Sequence, residues 1–195
     1  MRKIFGLLFM TAGALLIAVS IYFSYCIGQE ERLVEQTSRS VLAEMARQLD
    51  QLSDDPGYVV DPYSQEMTTL MVDGYEYIGC LSVPALGLEL PVMSQLDEYR
   101  LKLAPCLYMG TANEDNMIIG AHNYKKHFAS LSKLMPGDDV VFTAMDGNIY
   151  FYQVASLETL MPEEREKLTD TDYALTLFTC TYGGRKRTVV RCDRA

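Results

Sequence analysis

Three side chains near the ends of apolar runs have the chemistry for acyl transfer: Cys180, His122 and Arg187. A thiolate attacks a carbonyl carbon. An imidazole exchanges the proton with a leaving or incoming amine. A guanidinium, always charged, steadies an oxyanion or holds the substrate. Cys180 closes the run Thr176-Leu177-Phe178-Thr179-Cys180, His122 follows Ile118-Ile119-Gly120-Ala121, and Arg187 opens Arg187-Thr188-Val189-Val190-Arg191. A strand end holds a side chain rigidly yet lets it reach a groove. Spacing alone does not make the cysteine and the histidine meet, and a lone strand cysteine is more often a small core residue. Arg185 and Arg191 compete with Arg187, and Arg191 shares its strand face by the period of two. The second of the two histidines, His127, lies in Tyr124-Lys125-Lys126-His127 and reads as exposed or helix-capping.

The elements that must position these groups are mostly strands. Tyr75–Val83 and Leu88–Val92 flank Pro84-Ala85-Leu86-Gly87, and Asn116–Ala121 is a third apolar run. Val140–Thr143 and Asn148–Leu157 are joined across Asp146-Gly147, a strong hairpin signal. Leu175–Thr179 and Thr188–Cys192 form the last pair. Short helices are predicted at Lys126–Leu134 and at Pro162–Leu168, the latter opened by proline and acidic residues. Many short strands at near-regular spacing predict a closed or sandwiched all-β domain. Upstream, Leu33, Val34, Val41, Leu42, Met45, Leu49 and Leu52 recur at helical spacing and predict a stalk helix over Gln29–Leu52. Ser53-Asp54-Asp55-Pro56-Gly57 ends it, and a linker follows to about Val72.

The first 28 residues differ in kind. Ile4–Ile27 has no charged side chain and spans roughly 36 Å as a helix, enough for a bilayer core. It is too long for a signal-peptide core and lacks a small-x-small cleavage pattern. Arg2 and Lys3 precede it, and Glu30 and Glu31 follow. Positive charge stays inside, so a single-pass cell-membrane protein is expected, its N-terminus cytoplasmic and residues 30–195 outside. The expected organisation is 1–28 cytoplasmic tip and anchor, 29–73 stalk helix and linker, and 74–195 catalytic β-domain. The net charge of −9 argues against nucleic acid, because no continuous basic face neutralises phosphates. Of five cysteines, Cys26 sits in or beside the apolar run. Cys80, Cys106 and Cys192 read as small buried residues, most firmly Cys80 and Cys192. No CxxC pair, zinc pattern or calcium-loop spacing occurs, so neither metal nor cofactor is expected.

The local words resemble one family. Thr176-Leu177-Phe178-Thr179-Cys180 fits the Thr-Leu-x-Thr-Cys signature of the sortases. Gly120-Ala121-His122-Asn123 is similar to that family's histidine segment, and Arg187-Thr188-Val189-Val190-Arg191 to its closing strand. Tyr77-Ile78-Gly79 through Val83-Pro84, then Leu90-Pro91-Val92, resembles its first two strands. The resemblance runs in order from about Gly74 to Arg194. It implies an eight-stranded sortase-type β-barrel with short helices, behind the transmembrane and stalk helices, in a Gram-positive cell. It implies catalytic Cys180, His122 and Arg187, with Thr179, Ala121 and Asn123 toward the substrate. Thr179 also reads as an ordinary β-branched strand residue. Ala121, Leu157 and Leu160 are candidates for an apolar substrate groove and equally for the core.

The implied partners are secreted proteins bearing a Leu-Pro-x-Thr-Gly-like sorting signal, and an amine of peptidoglycan precursor or of a pilin. Asp61-Pro62-Tyr63 is similar to the Asp-Pro-aromatic lid of pilin-type sortases, and reads equally as a turn. The pilin type often has a C-terminal membrane helix, whereas this chain stops at Ala195, and its Leu157–Leu175 connection is short, so the subclass stays open. Two other readings compete. One is a membrane-tethered β-domain that binds a peptide or cell-wall partner without chemistry. The other is an L,D-transpeptidase, which wants Ser-x-Gly-Cys-x-Arg where this chain has Leu177-Phe178-Thr179 before its cysteine.

Overall fold

The computed structural model describes residues 2–54, 67–170, 172–181 and 183–195, and within the first helix the side chains of 2–9, 11, 12 and 23–34 fall outside that description. The Asp61-Pro62-Tyr63 segment also lies outside the described residues. Helix α1 runs Arg2–Ser53, so the expected anchor and stalk are one continuous helix. Much of the Ile4–Ile27 run falls where side chains are not described. Among the described residues, no helix is long and apolar enough to cross a membrane. Further along, α1 is amphipathic. Val41 and Met45 are buried against Tyr77, Met93, Ala104, Cys106 and Met145. Each such side chain contributes roughly 1.5–3 kcal/mol, so this part of α1 is packed onto the β-domain.

The strands are β1 (Leu70–Val72), β2 (Tyr75–Val83), β3 (Leu88–Met93), β4 (Cys106–Met109), β5 (Met117–Ala121), β6 (Asp139–Ala144), β7 (Ile149–Leu160), β8 (Leu175–Cys180) and β9 (Arg187–Arg194). Two short helices are α2 (Arg100–Leu103) and α3 (Arg165–Thr169). Sheet order is β1-β2-β3-β4-β5-β8-β9-β7-β6, and β2 also pairs with β6. That last pairing closes β2 through β9 into an eight-stranded barrel and leaves β1 as an extra edge strand. Closure needs Gly79. A Cβ there would sit 2.3 Å from the Thr143 carbonyl oxygen and 2.7 Å from the Phe142 ring, so only glycine lets β6 approach β2 this closely.

Strand alternation sorts the two faces. Ile119 and Ala121 of β5, Leu175 and Leu177 of β8, and Val190 and Cys192 of β9 enter the barrel core with Phe128, Leu131, Phe142 and Tyr152. By period two, Gly120, Phe178, Cys180, Arg187, Val189 and Arg191 stand on the outer face.

Three sequence expectations are corrected. β1 forms where a linker was predicted, and β4 where no element was assigned. The helix predicted over Lys126–Leu134 is a chain of turns with one 3₁₀ turn at Leu131–Lys133. The helix expected over Pro162–Leu168 starts later, at Arg165.

Candidate active site

Two pairings build the site. β5 and β8 run parallel with Ala121 opposite Thr179. One residue beyond that pair, His122 and Cys180 leave the two strands side by side. On the other edge of β8, Cys180 pairs directly with Arg187 of β9. Adjacent strands lie about 4.8 Å apart, so the cysteine backbone stands between those of the histidine and the arginine. The β8–β9 turn keeps this opposition. Thr181 N–H donates to the Lys186 carbonyl at 2.8 Å, and Gly184 N–H donates to the Thr181 carbonyl at 2.8 Å, with Gly183 and Gly184 at positive φ. Arg185 is exposed in this turn.

Cys180 is an exposed free thiol, the one exposed thiol among the described cysteines. Cys106 and Cys192 are fully buried and Cys80 is half-buried; burial pushes all three thiols up to about 12. Those three cannot supply a thiolate near neutral pH. His122 is half-buried, its Nε2 is enclosed, and among the described residues that nitrogen has no hydrogen-bond partner. Burial holds its pKa below the ordinary histidine value. The Lys102 ammonium pushes the same way and Glu98 opposes. The imidazole is therefore neutral at pH 7.

The half-buried Arg187 donates through Nη1 to the Pro162 carbonyl at 3.3 Å. That carbonyl lies between β7 and α3, an anchor the sequence did not signal. Arg191, its rival, is 2% exposed, with most of its N–H donors engaged. It pairs with Glu158 at 2.7 Å, donates to the Leu168 carbonyl and to Thr176 Oγ1, each at 3.0 Å, and bonds the Lys167 carbonyl. Beyond it a cleft of about 550 Å³ opens around Glu158, Tyr173 and Asp193.

The remaining site candidates divide. Thr179 Oγ1 donates to the Ala121 carbonyl at 2.8 Å and both residues are buried. They brace the strand ends beneath the site. Asn123 is exposed just past His122. Leu160 is buried with Leu168 and Val189, against Phe178, on the outer face, whereas Leu157 packs on the barrel core. The floor beside Cys180 is aromatic. A Cβ on Gly120 would meet the Phe178 ring at 2.6 Å, and Tyr108 stands edge-on to that ring at 5.6 Å. His127 corrects the sequence expectation of an exposed residue: it is fully buried.

Comparisons with known proteins agree with this geometry. The Sortase domain model matches residues 81–195. Sortase A of Bacillus anthracis is 25% identical over 199 aligned positions, covering 98% of this chain and 93% of that protein. Among solved structures, sortase C1 of Streptococcus agalactiae is 28% identical with a TM-score of 0.56, covering 65% of this chain and 71% of that one. Streptococcus pneumoniae sortase C, whose structure was described for catalysis and pilin substrate specificity, is 25% identical with a TM-score of 0.57, covering 87% and 95%. With the family model spanning more than half of its length and the barrel of that family under its cysteine, this chain belongs to the sortases, the cysteine transpeptidases.

Proposed function

We propose that the protein is an active sortase that cuts a Leu-Pro-x-Thr-Gly-like sorting signal and passes the cut protein to an amine. The observation that supports this best is the register: the backbone of Cys180, whose thiol is exposed, stands between those of His122 and Arg187, all at one end of three adjacent strands. Cys180 attacks the Thr carbonyl of the signal. The C–N bond to glycine breaks, His122 gives its proton to the leaving amine, and a thioester remains. The incoming amine attacks that thioester, its proton passes to His122, and the thiol is released. Arg187, held from behind by the Pro162 carbonyl, binds substrate and steadies the oxyanion. A neutral imidazole needs a proton before it can act as acid.

The acceptor is an amine of peptidoglycan precursor or a pilin lysine, and the similarity to the two streptococcal sortase C structures favours the pilin side. The enzyme works outside a membrane that anchors it by one helix. The uncharged Ile4–Ile27 run, its flanking charges, and the exposed Leu15, Leu16, Ile17, Ile21 and Tyr22 support this.

The test uses the full chain in detergent micelles, sorting-signal peptides of varied sequence, and two amines: a pilin-type lysine peptide and a peptidoglycan-type stem peptide. Mass spectrometry should find the acyl adduct on Cys180. Cys180→Ala should lose at least about 10³-fold in turnover while keeping its unfolding midpoint, because the thiol is exposed. No adduct with any peptide favours instead a tethered β-domain that only binds.

A further inference from the structure

Catalytic histidines are ordinarily held in orientation by a third group that hydrogen-bonds their far nitrogen. Here the enclosed Nε2 of His122 has no such partner among the described residues. What touches the ring is aromatic. His122 and Tyr124 have centroids 5.1 Å apart with planes tilted by 35°, and Tyr124 meets His127 at 5.6 Å and 41°. The three rings form one run from the site into the core.

The segment that holds them is short and fixed. His127 N–H and Ala129 N–H both donate to the Tyr124 carbonyl, at 3.0 and 3.1 Å, and Phe128 N–H donates back to the His122 carbonyl at 3.3 Å. Phe128 and Leu131 are fully buried in the barrel core and pin the segment from below. Lys126 reaches Glu35 of α1 at 3.2 Å. His127 is fully buried with neither ring nitrogen hydrogen-bonded, and burial lowers its pKa to about 4. The His122 charge pushes it the same way, and a nearby backbone group of Leu103 opposes without reaching hydrogen-bond geometry. A buried polar ring without partners is costly, and what it does contribute at this position is a flat neutral face behind Tyr124.

We infer that Tyr124, backed by His127, is a positioning residue for His122: its ring replaces the usual hydrogen-bonding partner and keeps the imidazole at the Cys180 end of the site. This deepens the transpeptidase reading and rests on His122 being the proton-transfer group. A ring free to swing leaves the reactive geometry, and displacement of about 1 Å costs on the order of 100-fold in rate.

The test has two arms on the full chain in micelles. In the first, peptide cleavage by Tyr124→Ala should fall about 10- to 100-fold in kcat with KM within about twofold. Tyr124→Phe and His127→Phe, which keep the flat face, should retain most of the rate. In the second, the chain's only two histidines are labelled with ¹⁵N and their ring signals followed against pH. The groups acting on His122 in that titration are Lys102, Glu98 and His127, with Cys180 and Arg187 on the flanking strands. In Tyr124→Ala the His122 midpoint should rise toward the ordinary value and its signal should broaden; in Tyr124→Phe both should match the parent. If Tyr124→Ala does not fold, Tyr124→Leu is read by the same criteria. Unchanged kcat and an unchanged His122 titration in the truncated variant overturn the proposal. So does a Phe variant as impaired as the truncation, which would assign the role to the hydroxyl or to a His127 proton relay. The titration needs no turnover, so a chain that cleaves no peptide sinks the transpeptidase reading and still leaves this arm to decide the positioning.

Discussion

Arg187 and Arg191 lie four residues apart on the same face of β9 in opposite surroundings. Arg187 is half-buried at the open strand end, beside an exposed thiol, with one hydrogen bond to a carbonyl behind it. Arg191 is sealed beneath α3, where a carboxylate, a hydroxyl and two helix carbonyls take most of its donors. Guanidinium chemistry is identical in both. What differs is the number of donors left for a substrate. A strand end beyond the covering helix leaves several free, whereas a mid-strand position under that helix leaves few. The two histidines repeat the contrast, His122 facing the site and His127 enclosed behind it.

The widest separation should come from truncating the two arginines in turn. Arg187→Ala should cut kcat/KM for a cleaved peptide by about 10²–10³-fold and leave the urea midpoint in place. Arg191→Ala should remove about 3 kcal/mol of stability, because it strands Glu158 and the Lys167 and Leu168 carbonyls. Turnover per folded molecule should change little. The reverse pattern, an inert Arg187 and a catalytically dead but stable Arg191 variant, would exchange their roles.

The histidine contrast is tested by pH. The folded pKa of His127, about 4, lies below its ordinary 6.5. Between those values the unfolded chain binds a proton that the native chain excludes, so stability rises with pH. The contribution is complete above about pH 6.5 and is lost as pH falls toward 4, by at most about 3 kcal/mol. Urea titrations at steps through that window should show the loss in the parent and a flatter profile in His127→Phe. A parent profile as flat as the variant's would mean that His127 is not held neutral.

The smallest effect concerns the floor of the site. Gly120→Ala puts a Cβ into the Phe178 ring and should cost about 1–3 kcal/mol. Thermal unfolding should show Phe178→Leu recovering part of that loss in the double variant, since a smaller side chain makes room. Additive losses would mean that the two residues do not compete for one space.

Much of this was legible before any fold. The Asp146-Gly147 turn sits where the hairpin forms, between β6 and β7, and β2, β3, β8 and β9 lie where the short apolar runs predicted them. The word around Cys180 was likewise readable, through its resemblance to the sortase signature. What was hidden had weak local signals. β1 has three residues and β4 has four, with Tyr108 and Met109 exposed, too short for alternation to show. The Lys126–Leu134 segment has helix-forming residues, yet Phe128, Leu131 and Leu134 are buried at every third position, a 3₁₀ rather than an α spacing. Cys106, less firmly read as core than Cys80, is the more buried of the two.

By itself, then, the sequence determined which residues could carry acyl transfer, and that strand ends would present them, since residue type and alternation are local properties. Only the tertiary structure decided which arginine stands opposite Cys180. Period two offers Arg187 and Arg191 alike, and the choice depends on the β8–β9 register and on α3 lying over one and not the other. The structure likewise decided that the histidine following two lysines is a buried one. Burial is set by what packs around a residue from far along the chain, and Lys125 and Lys126 do not encode it.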